Sequence, residues 1–295
     1  MMSVDVLLPY YGPVDLMQMA VRSVLDQEYT DWTLTVVDDG FPDPGIPEWF
    51  AGLGDERVHY HRNEKNLGAN GNYRKALTFV TQKYVVMMGA DDVMLPNYLA
   101  TVVSALDAHP EAAFAQPGVE VIDESGVPSV GLVDRAKAFY APKVDGRRVM
   151  IGEEIAASLL RGDWLYFPSL CWRSEAITST GFREGLDVVQ DLALALDIIR
   201  GGSGLVVDAT ICFQYRRHRS SDSSWRALEG SRFTEERLFF EQTAKEMAAH
   251  GWHRAARVAR LHVSSRVNAA TLLPRAAMRK QWSGVRVLAR HAFGS

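Results

Sequence analysis

The chain predicts an α/β fold: a mostly parallel sheet with helices on both faces, followed by a C-terminal helical appendage. Three observations carry that prediction. Up to about residue 108, short apolar runs bounded by turn residues alternate with segments at helical spacing. Two of those runs, Thr33 to Val37 and Tyr84 to Met88, lead into adjacent acids, Asp38-Asp39 and Asp91-Asp92. A run that is apolar on both faces reads as a buried parallel strand, and open α/β sheets bind their ligands at the carboxyl ends of such strands. After Ser224 the strand-like runs stop and helical spacing takes over. The expected division is therefore an α/β domain over residues 1–224 and a helical region over 225–295.

Each element has its own reason. Val4 to Leu8 is a first strand, broken by Pro9 and the Gly12-Pro13 turn. Val14 to Gln27 sets Leu16, Met19, Ala20, Val24 and Leu25 at helical spacing. Thr33 to Val37 is the second strand, followed by a Pro- and Gly-rich loop from Phe41 to Pro47; Arg57 to His61 is a short third strand. Gly68 to Val80 reads as a helix with Tyr73, Ala76, Leu77 and Val80 on one side. The Tyr84 run and a helix from Asn97 to Ala108 complete this part. Beyond it the pattern loosens. Ala113 to Gln116 and Val119 to Ile122 are strand-like, Val127 to Arg147 reads as a loop, and Gly152 to Leu160 as a helix. Gln190 to Arg200 is a helix ended by Gly201-Gly202, and Leu205 to Val207 and Ile211 to Tyr215 are the last strands. Phe233 to His250, Trp252 to Leu272 and Arg275 to Arg290 are the C-terminal helices.

Composition narrows the class. An apolar fraction of 47% and a charged fraction of 23% belong to an ordinary globular protein. A net charge of −4 argues against nucleic acid as the partner. Cys171 and Cys212 lie far apart in apolar contexts and read as buried free thiols of a reducing compartment. No signal peptide is visible, and no apolar run reaches the roughly 18 residues of a membrane span, so a cytoplasmic location is expected. From Met247 onward there is no Asp or Glu, whereas nine basic residues lie between Arg254 and Arg290. Such a face is either solvated or a peripheral contact with anionic lipid at the inner face of a membrane.

Taken singly, the polar positions have plain readings. Asp38-Asp39-Gly40 is a good turn, Asp191 suits a helix start, Asp91-Asp92 suits a loop, and the Tyr215 to Ser223 run suits a surface. Their order is more specific. Val-Asp-Val-Leu-Leu-Pro-Tyr-Tyr-Gly, Thr-Val-Val-Asp-Asp-Gly, Asn66-Leu67-Gly68 with Asn72-Tyr73-Arg74, Gly89-Ala90-Asp91-Asp92 with Pro96, Gln190-Asp191 and Tyr-Arg-Arg-His218-Arg-Ser-Ser221-Asp-Ser223 follow one another. The ordered set, over about residues 3–224, resembles the inverting family 2 glycosyltransferases of the GT-A fold.

The resemblance implies a nucleotide-sugar donor, UDP- or dTDP-linked, whose diphosphate is neutralised by a divalent ion, Mn2+ or Mg2+. It makes Asp91 the metal ligand, with Asp92 and His218 as helpers, because Gly89 stands where the family's Asp-any-Asp motif has its first acid. It places Pro9, Tyr11 and Asp39 on the nucleoside, and Asn72 and Arg74 at the nucleotide end. It makes Asp191, preceded by Gln190 in place of the family's Glu, the general base toward an acceptor hydroxyl on a glycan, a lipid-linked glycan or a small molecule. Trp164, Tyr166, Phe167 and Trp172 line an acceptor pocket or pack in the core. Two other functions stay open: a sugar-nucleotide binding protein without transfer activity, and a nucleotidyltransferase. The latter needs a basic glycine-rich loop after the first strand, which Pro9-Tyr10-Tyr11-Gly12-Pro13 does not supply.

Overall fold

A computed structural model describes residues 3–218 and 231–294. The first strand, β1 (Val4–Tyr10), pairs in parallel with β2 (Trp32–Asp38) on one side and β4 (Tyr84–Met87) on the other, and β3 (Val58–Arg62) extends the sheet beyond β2. Helices α1 (Val14–Leu25), α2 (Ile46–Ala51) and α3 (Gly68–Leu77) connect them. Chain order reverses at β1, so its carboxyl end opens a crevice between the β2 and β4 sides.

Past β4 the sheet becomes mixed. After β5 (Val93–Met94) and α4 (Tyr98–Ala108) come β6 (Ala112–Ile122), α5 (Leu132–Tyr140), β7 (Arg147–Met150) and α6 (Gly152–Arg161). They are followed by β8 (Cys171–Arg173), α7 (Ser174–Thr180), α8 (Gln190–Arg200) and β9 (Gly204–Arg216). β8 runs antiparallel between β4 and β6, β9 is parallel to β6, and β5 and β7 flank β9 antiparallel. The sheet order is β3-β2-β1-β4-β8-β6-β9-β5. The C-terminal helices are α9 (Ser231–Ala249), α10 (His253–Leu261), α11 (Val263–Met278) and α12 (Trp282–Phe293).

Strand periodicity divides the core between the two faces of the sheet. Leu7, Val37, Val85 and Met87 face one layer, with α6 and α8. Val6, Leu8, Leu34, Val36 and Val86 face the other, with α1 and α4. Phe239, Phe240 and Met247 of α9 and Ala255 and Ala259 of α10 join the first layer, while Phe233, Ala269, Ala276 and Leu288 make a small core of their own. The expected boundary at residue 224 lies outside the described residues.

The structure corrects four expectations. The Phe41 to Pro47 loop already contains the start of α2 at Ile46. Val127 to Arg147 holds α5 and the start of β7. Leu132, Val133, Ala136, Phe139 and Tyr140 do stand at helical spacing, although Leu132, Val133 and Phe139 end up exposed, and β7 exists through its pairing with β9. Trp252 to Leu272 is two helices, because His262 takes a left-handed φ of 30° and lays its ring on Phe240. The three-residue β8 was not expected as a strand. Of the four aromatics, Trp164, Phe167 and Trp172 belong to the core, Phe167 also reaching a cavity wall, and Tyr166 is half-buried at that wall. Both cysteines are buried and free, as expected.

Trp172 is fully buried and stacks on Phe114 with ring centroids 4.5 Å apart, at the antiparallel strand that joins the two halves of the sheet. Trp172→Ala is expected to cost about 3–5 kcal/mol in urea unfolding, whereas Phe139→Ala, at an 81% exposed ring, is expected to cost under about 0.5 kcal/mol.

Candidate active site

Two cavities carry the polar residues singled out above. The larger, about 790 Å³, lies at the strand ends and is lined by Pro9, Tyr11, Asp39, Asn72, Tyr73, Gly89, Asp91 and His218 among others. It is the crevice that the reversal of strand order opens. Tyr11 is 58% exposed at its edge and meets Phe41 edge-on, with centroids 5.4 Å apart. Asp39 is almost fully buried; its Oδ1 accepts from Asn63 Nδ2 at 2.9 Å and from the Leu67 amide at 2.8 Å, and its Oδ2 takes no bond among the described residues. Asn72 is committed to the scaffold, donating to the Val37 carbonyl and accepting from Asn63. Arg74, expected at the nucleotide end, is not among the residues lining the cleft and donates to the Arg183 carbonyl at 3.2 Å.

The acid pairs at the two strand ends are divided in the same way. Asp38 is fully buried and structural, accepting from the Gly40 and Phe41 amides, Tyr60 and Arg62, while its neighbour Asp39 faces the cleft. In the second pair Asp91 faces the cleft, with its Oδ2 2.7 Å from His218 Nε2. Asp92, expected beside it at the metal, is turned inward. Its side chain is 1% exposed, Oδ1 accepts from the Arg216 amide at 2.8 Å, and burial next to the Asp91 charge raises its pKa well above the usual carboxylate range. Asp91 and His218 thus form a two-residue set. No group of three or more His, Cys, Asp or Glu that could hold a metal occurs among the described residues. One carboxylate and one imidazole suit a divalent ion that completes its shell with phosphate oxygens and water.

Gly89 explains the inward turn. A Cβ on residue 89 would overlap Oδ2 of Asp92 and lie 3.1 Å from Oδ1 of Asp91. The space next to the missing acid is filled by the carboxylate of Asp92.

The second cavity, about 360 Å³, has Asp191 in its wall, together with Asp163, Lys137, Tyr166, Tyr215 and Arg217. Asp191 is the second residue of α8 and accepts from the Leu192 amide at 2.8 Å. Burial, reinforced by the charge of Asp163 and opposed by Lys137, pushes its pKa up to about 6. Lys137 Nζ donates to the backbone carbonyls of Asp163 and Leu165, which fixes α5 against this wall. Arg217 and Tyr166 both donate to Asp134, buried in the first turn of α5.

Tyr73 lines the first cavity and Tyr215 the second. Burial chiefly, and then the charges of Asp91, Asp92 and Asp191, hold both hydroxyls protonated, Tyr215 at about 12. Both phenols thus feel the carboxylates of both cavities. Sequence reading missed Asp163, Lys137 and the α9 residues of the second cavity; a lone Asp and charges on a helix carry no motif. Tyr215 and Arg217 lay inside the polar run that it had marked; Arg219 to Ser223 of that run lie outside the described residues.

Residues 5–143 match the family model for glycosyl transferase family 2. Over that stretch, a little under half of its length, the chain is similar to that family. An uncharacterized glycosyltransferase of Rickettsia felis is 25% identical over 231 residues, 75% of this chain and 35% of that protein. A putative teichuronic acid biosynthesis glycosyltransferase, TuaG, of Bacillus subtilis is 30% identical over 127 residues, 42% of this chain and 50% of that protein. The chain spans less than half the length of the first curated relatives it matches. The crystal structure of S. aureus TarS 1-349 in complex with UDP-GlcNAc superimposes with a TM-score of 0.70 at 16% identity, covering 99% of this chain and 82% of that one. The chain therefore has the GT-A fold, with a mainly parallel central sheet and C-terminal helices.

The fit between Gly89 and Asp92 is testable. Gly89→Ala is expected to destabilise by about 1–3 kcal/mol in chemical unfolding. Adding Asp92→Gly should return part of that loss, and independent, additive costs would show that the two residues do not share one space.

Proposed function

We propose that this chain is a family 2 glycosyltransferase that moves a glycosyl group from a UDP- or dTDP-sugar to an acceptor hydroxyl with inversion at the anomeric carbon. One observation carries the reading. Asp191 lines the second cavity with Tyr215, and its charge acts, with those of Asp91 and Asp92, on both Tyr215 and Tyr73 of the acid-bearing strand-end cleft. A donor in the larger cavity would place its nucleoside near Tyr11 and Asp39 and its diphosphate near Asp91 and His218. The stacking face of Tyr11 and the open oxygen of Asp39 suit a base and its donors. UDP-GlcNAc bound to the similarly folded TarS supports a nucleotide sugar as the donor class.

In the transfer, Asp191 accepts the proton of the acceptor hydroxyl. The acceptor oxygen forms its bond to the anomeric carbon from the face opposite the diphosphate. The bond from that carbon to the phosphate oxygen breaks, and the nucleoside diphosphate leaves with the electron pair. Asp91 and His218 would hold a divalent ion, Mn2+ or Mg2+, which neutralises the leaving diphosphate as a Lewis acid. Tyr73 and Tyr215, both protonated, offer hydrogen bonds between the two cavities.

A second reading, a sugar-nucleotide binding protein without transfer, has the inward turn of Asp92 in its favour, because it leaves the cleft with a single carboxylate at that strand end. The two readings separate on Asp191→Asn. A thermal-shift screen of UDP- and dTDP-sugars with and without manganese identifies the donor. With that donor, release of nucleoside diphosphate by Asp191→Asn is expected to fall by about 10²–10⁴-fold while donor affinity stays within about twofold. Wild-type turnover should rise as pH increases through about 6 and then level off, because only the ionised carboxylate takes the proton. Donor binding without turnover at any pH would favour the second reading.

The acceptor surface includes a peripheral membrane contact in this proposal. Among the described residues no helix is long and apolar enough to cross a membrane. At the α11–α12 turn, Arg275, Met278 and Arg279 share one face at i, i+3 and i+4 spacing, and Trp282 and Arg286 share another at i and i+4. Met278 is 78% and Trp282 60% exposed. An aromatic ring among cations suits an anionic headgroup layer. The triple variant Arg275→Glu, Arg279→Glu, Arg286→Glu is expected to lose sedimentation with phosphatidylglycerol vesicles at 0.1 M salt; unchanged sedimentation would make the basic face solvation only.

A further inference from the structure

The C-terminal helices carry chemistry that neither the family motifs nor the fold comparison assigns. Asp191 sits in the first turn of α8, so its place depends on the turn that enters that helix. The amides of Asp187, Val188 and Val189, the three residues before α8, all donate to one carboxylate oxygen, Glu235 Oε1, at 2.9, 2.6 and 3.1 Å. Glu235 belongs to α9, 46–48 residues away in sequence. It holds the turn that enters α8 by three backbone amides and sets a negative charge near the positive end of the helix. From the opposite side, Asn70 of α3 donates to Asp187 Oδ1 at 2.6 Å and accepts from Gln190 Nε2 at 2.5 Å. The turn is therefore held between the donor-cleft helix α3 and the C-terminal helix α9.

The same face of α9 reaches the cavity that contains Asp191. Arg232 and Glu236, at i and i+4, are both in its wall and are bonded to each other at 2.6 Å. Glu236 is 5% exposed and also accepts from the hydroxyl of Ser265 on α11. Arg232, Glu235 and Glu236 thus form one strip, one part holding the turn before the base and the other lining the cavity.

Resting on the assignment of Asp191 as the base, we propose that α9 is part of the transfer site. Glu235 is a positioning residue that sets Asp191 through the 187–189 turn, and the Arg232–Glu236 pair is a wall of the acceptor site, offering a donor and an acceptor to a hydroxyl-rich acceptor. The helical region completes the site rather than hanging beside it.

The test uses the full chain with UDP-GlcNAc and UDP-glucose as donors, UDP release as the rate, UDP binding by calorimetry, and amide exchange over 187–192. Glu235→Ala is expected to lower the rate at least tenfold, with UDP affinity within twofold of wild type and faster exchange over 187–192. Glu235→Gln, whose amide oxygen still accepts, should keep most of the rate and most of the protection. A wild-type rate in Glu235→Ala, beside a dead Asp191→Asn, would overturn the positioning role and leave the base assignment standing. A wild-type rate in Asp191→Asn would overturn the base and this role with it. Equal losses of rate, UDP affinity and thermal stability in both Glu235 variants would mean that the residue supports the fold alone.

Discussion

Arg216 fastens the two halves of the site. It ends β9, and three of its groups reach back to other segments: its amide to Asp92 Oδ1 at 2.8 Å, its Nε to the Asp91 carbonyl at 2.8 Å, and its Nη1 to the Asp123 carbonyl at 3.0 Å. The residue is 3% exposed, and a buried guanidinium is tolerable because carbonyls and a neighbouring acid surround it. Through these bonds the turn after β4 and the end of β9 share one frame. Asp91 and His218 then fall 2.7 Å apart although 127 residues separate them. On the other side of the same strand end, Tyr215 and Arg217 face the cavity of Asp191. The pairing of strand ends thus places the groups of the two cavities with little freedom between them.

Much of this was legible in the sequence, for a physical reason. Buried parallel strands need apolar side chains on both faces, so β1, β2 and β4 announce themselves, and the acids at their ends stand out against that background. The same reading could not say which acid of each pair faces the cleft. Asp38 and Asp92 turn inward because of partners distant in sequence, Tyr60 and Arg62 in one case and the Arg216 amide in the other. α5 carries apolar residues at helical spacing and was legible as a helix, but what holds it, Lys137 and Asp134 reaching other segments, was not. α10 and α11 read as one helix because their spacing is continuous; the break at His262 is set by packing on Phe240, which only the tertiary structure supplies.

Charges as well as apolar contacts tie the C-terminal helices to the rest of the chain. Arg183, Asp197, Arg200 and Glu246 form a connected set of ion pairs at 2.6–2.9 Å between α8, the segment before it and α9. Glu153 of α6 accepts from the amides of Arg254 and Ala255 at the start of α10. Half-buried networks of this kind contribute geometry more than energy, because desolvation offsets much of the attraction. Their effect is to hold α9 and α10 in a fixed place against α6 and α8. That fixed place is what allows a side chain on α9 to act on a turn that leads into α8.

The departure at Gly89 then has a local cause. In an Asp-any-Asp arrangement the first side chain needs the space beside the second acid. Here that space is occupied by Asp92, whose carboxylate is anchored to Arg216 and protonated more readily than an ordinary Asp. Glycine is the residue that leaves room for it. The number of acids at the strand end is unchanged, but one of them has moved from the cleft into the frame that holds β9. The cleft keeps Asp91 as its carboxylate at that strand end and gains His218 from the far side, held by the same frame. A carboxylate–imidazole pair carries less negative charge than two carboxylates, so a diphosphate approaching it meets less repulsion before any cation is bound. In the proposed donor site, nucleotide affinity is therefore expected to depend less steeply on a divalent ion than in a site with two acids facing the cleft.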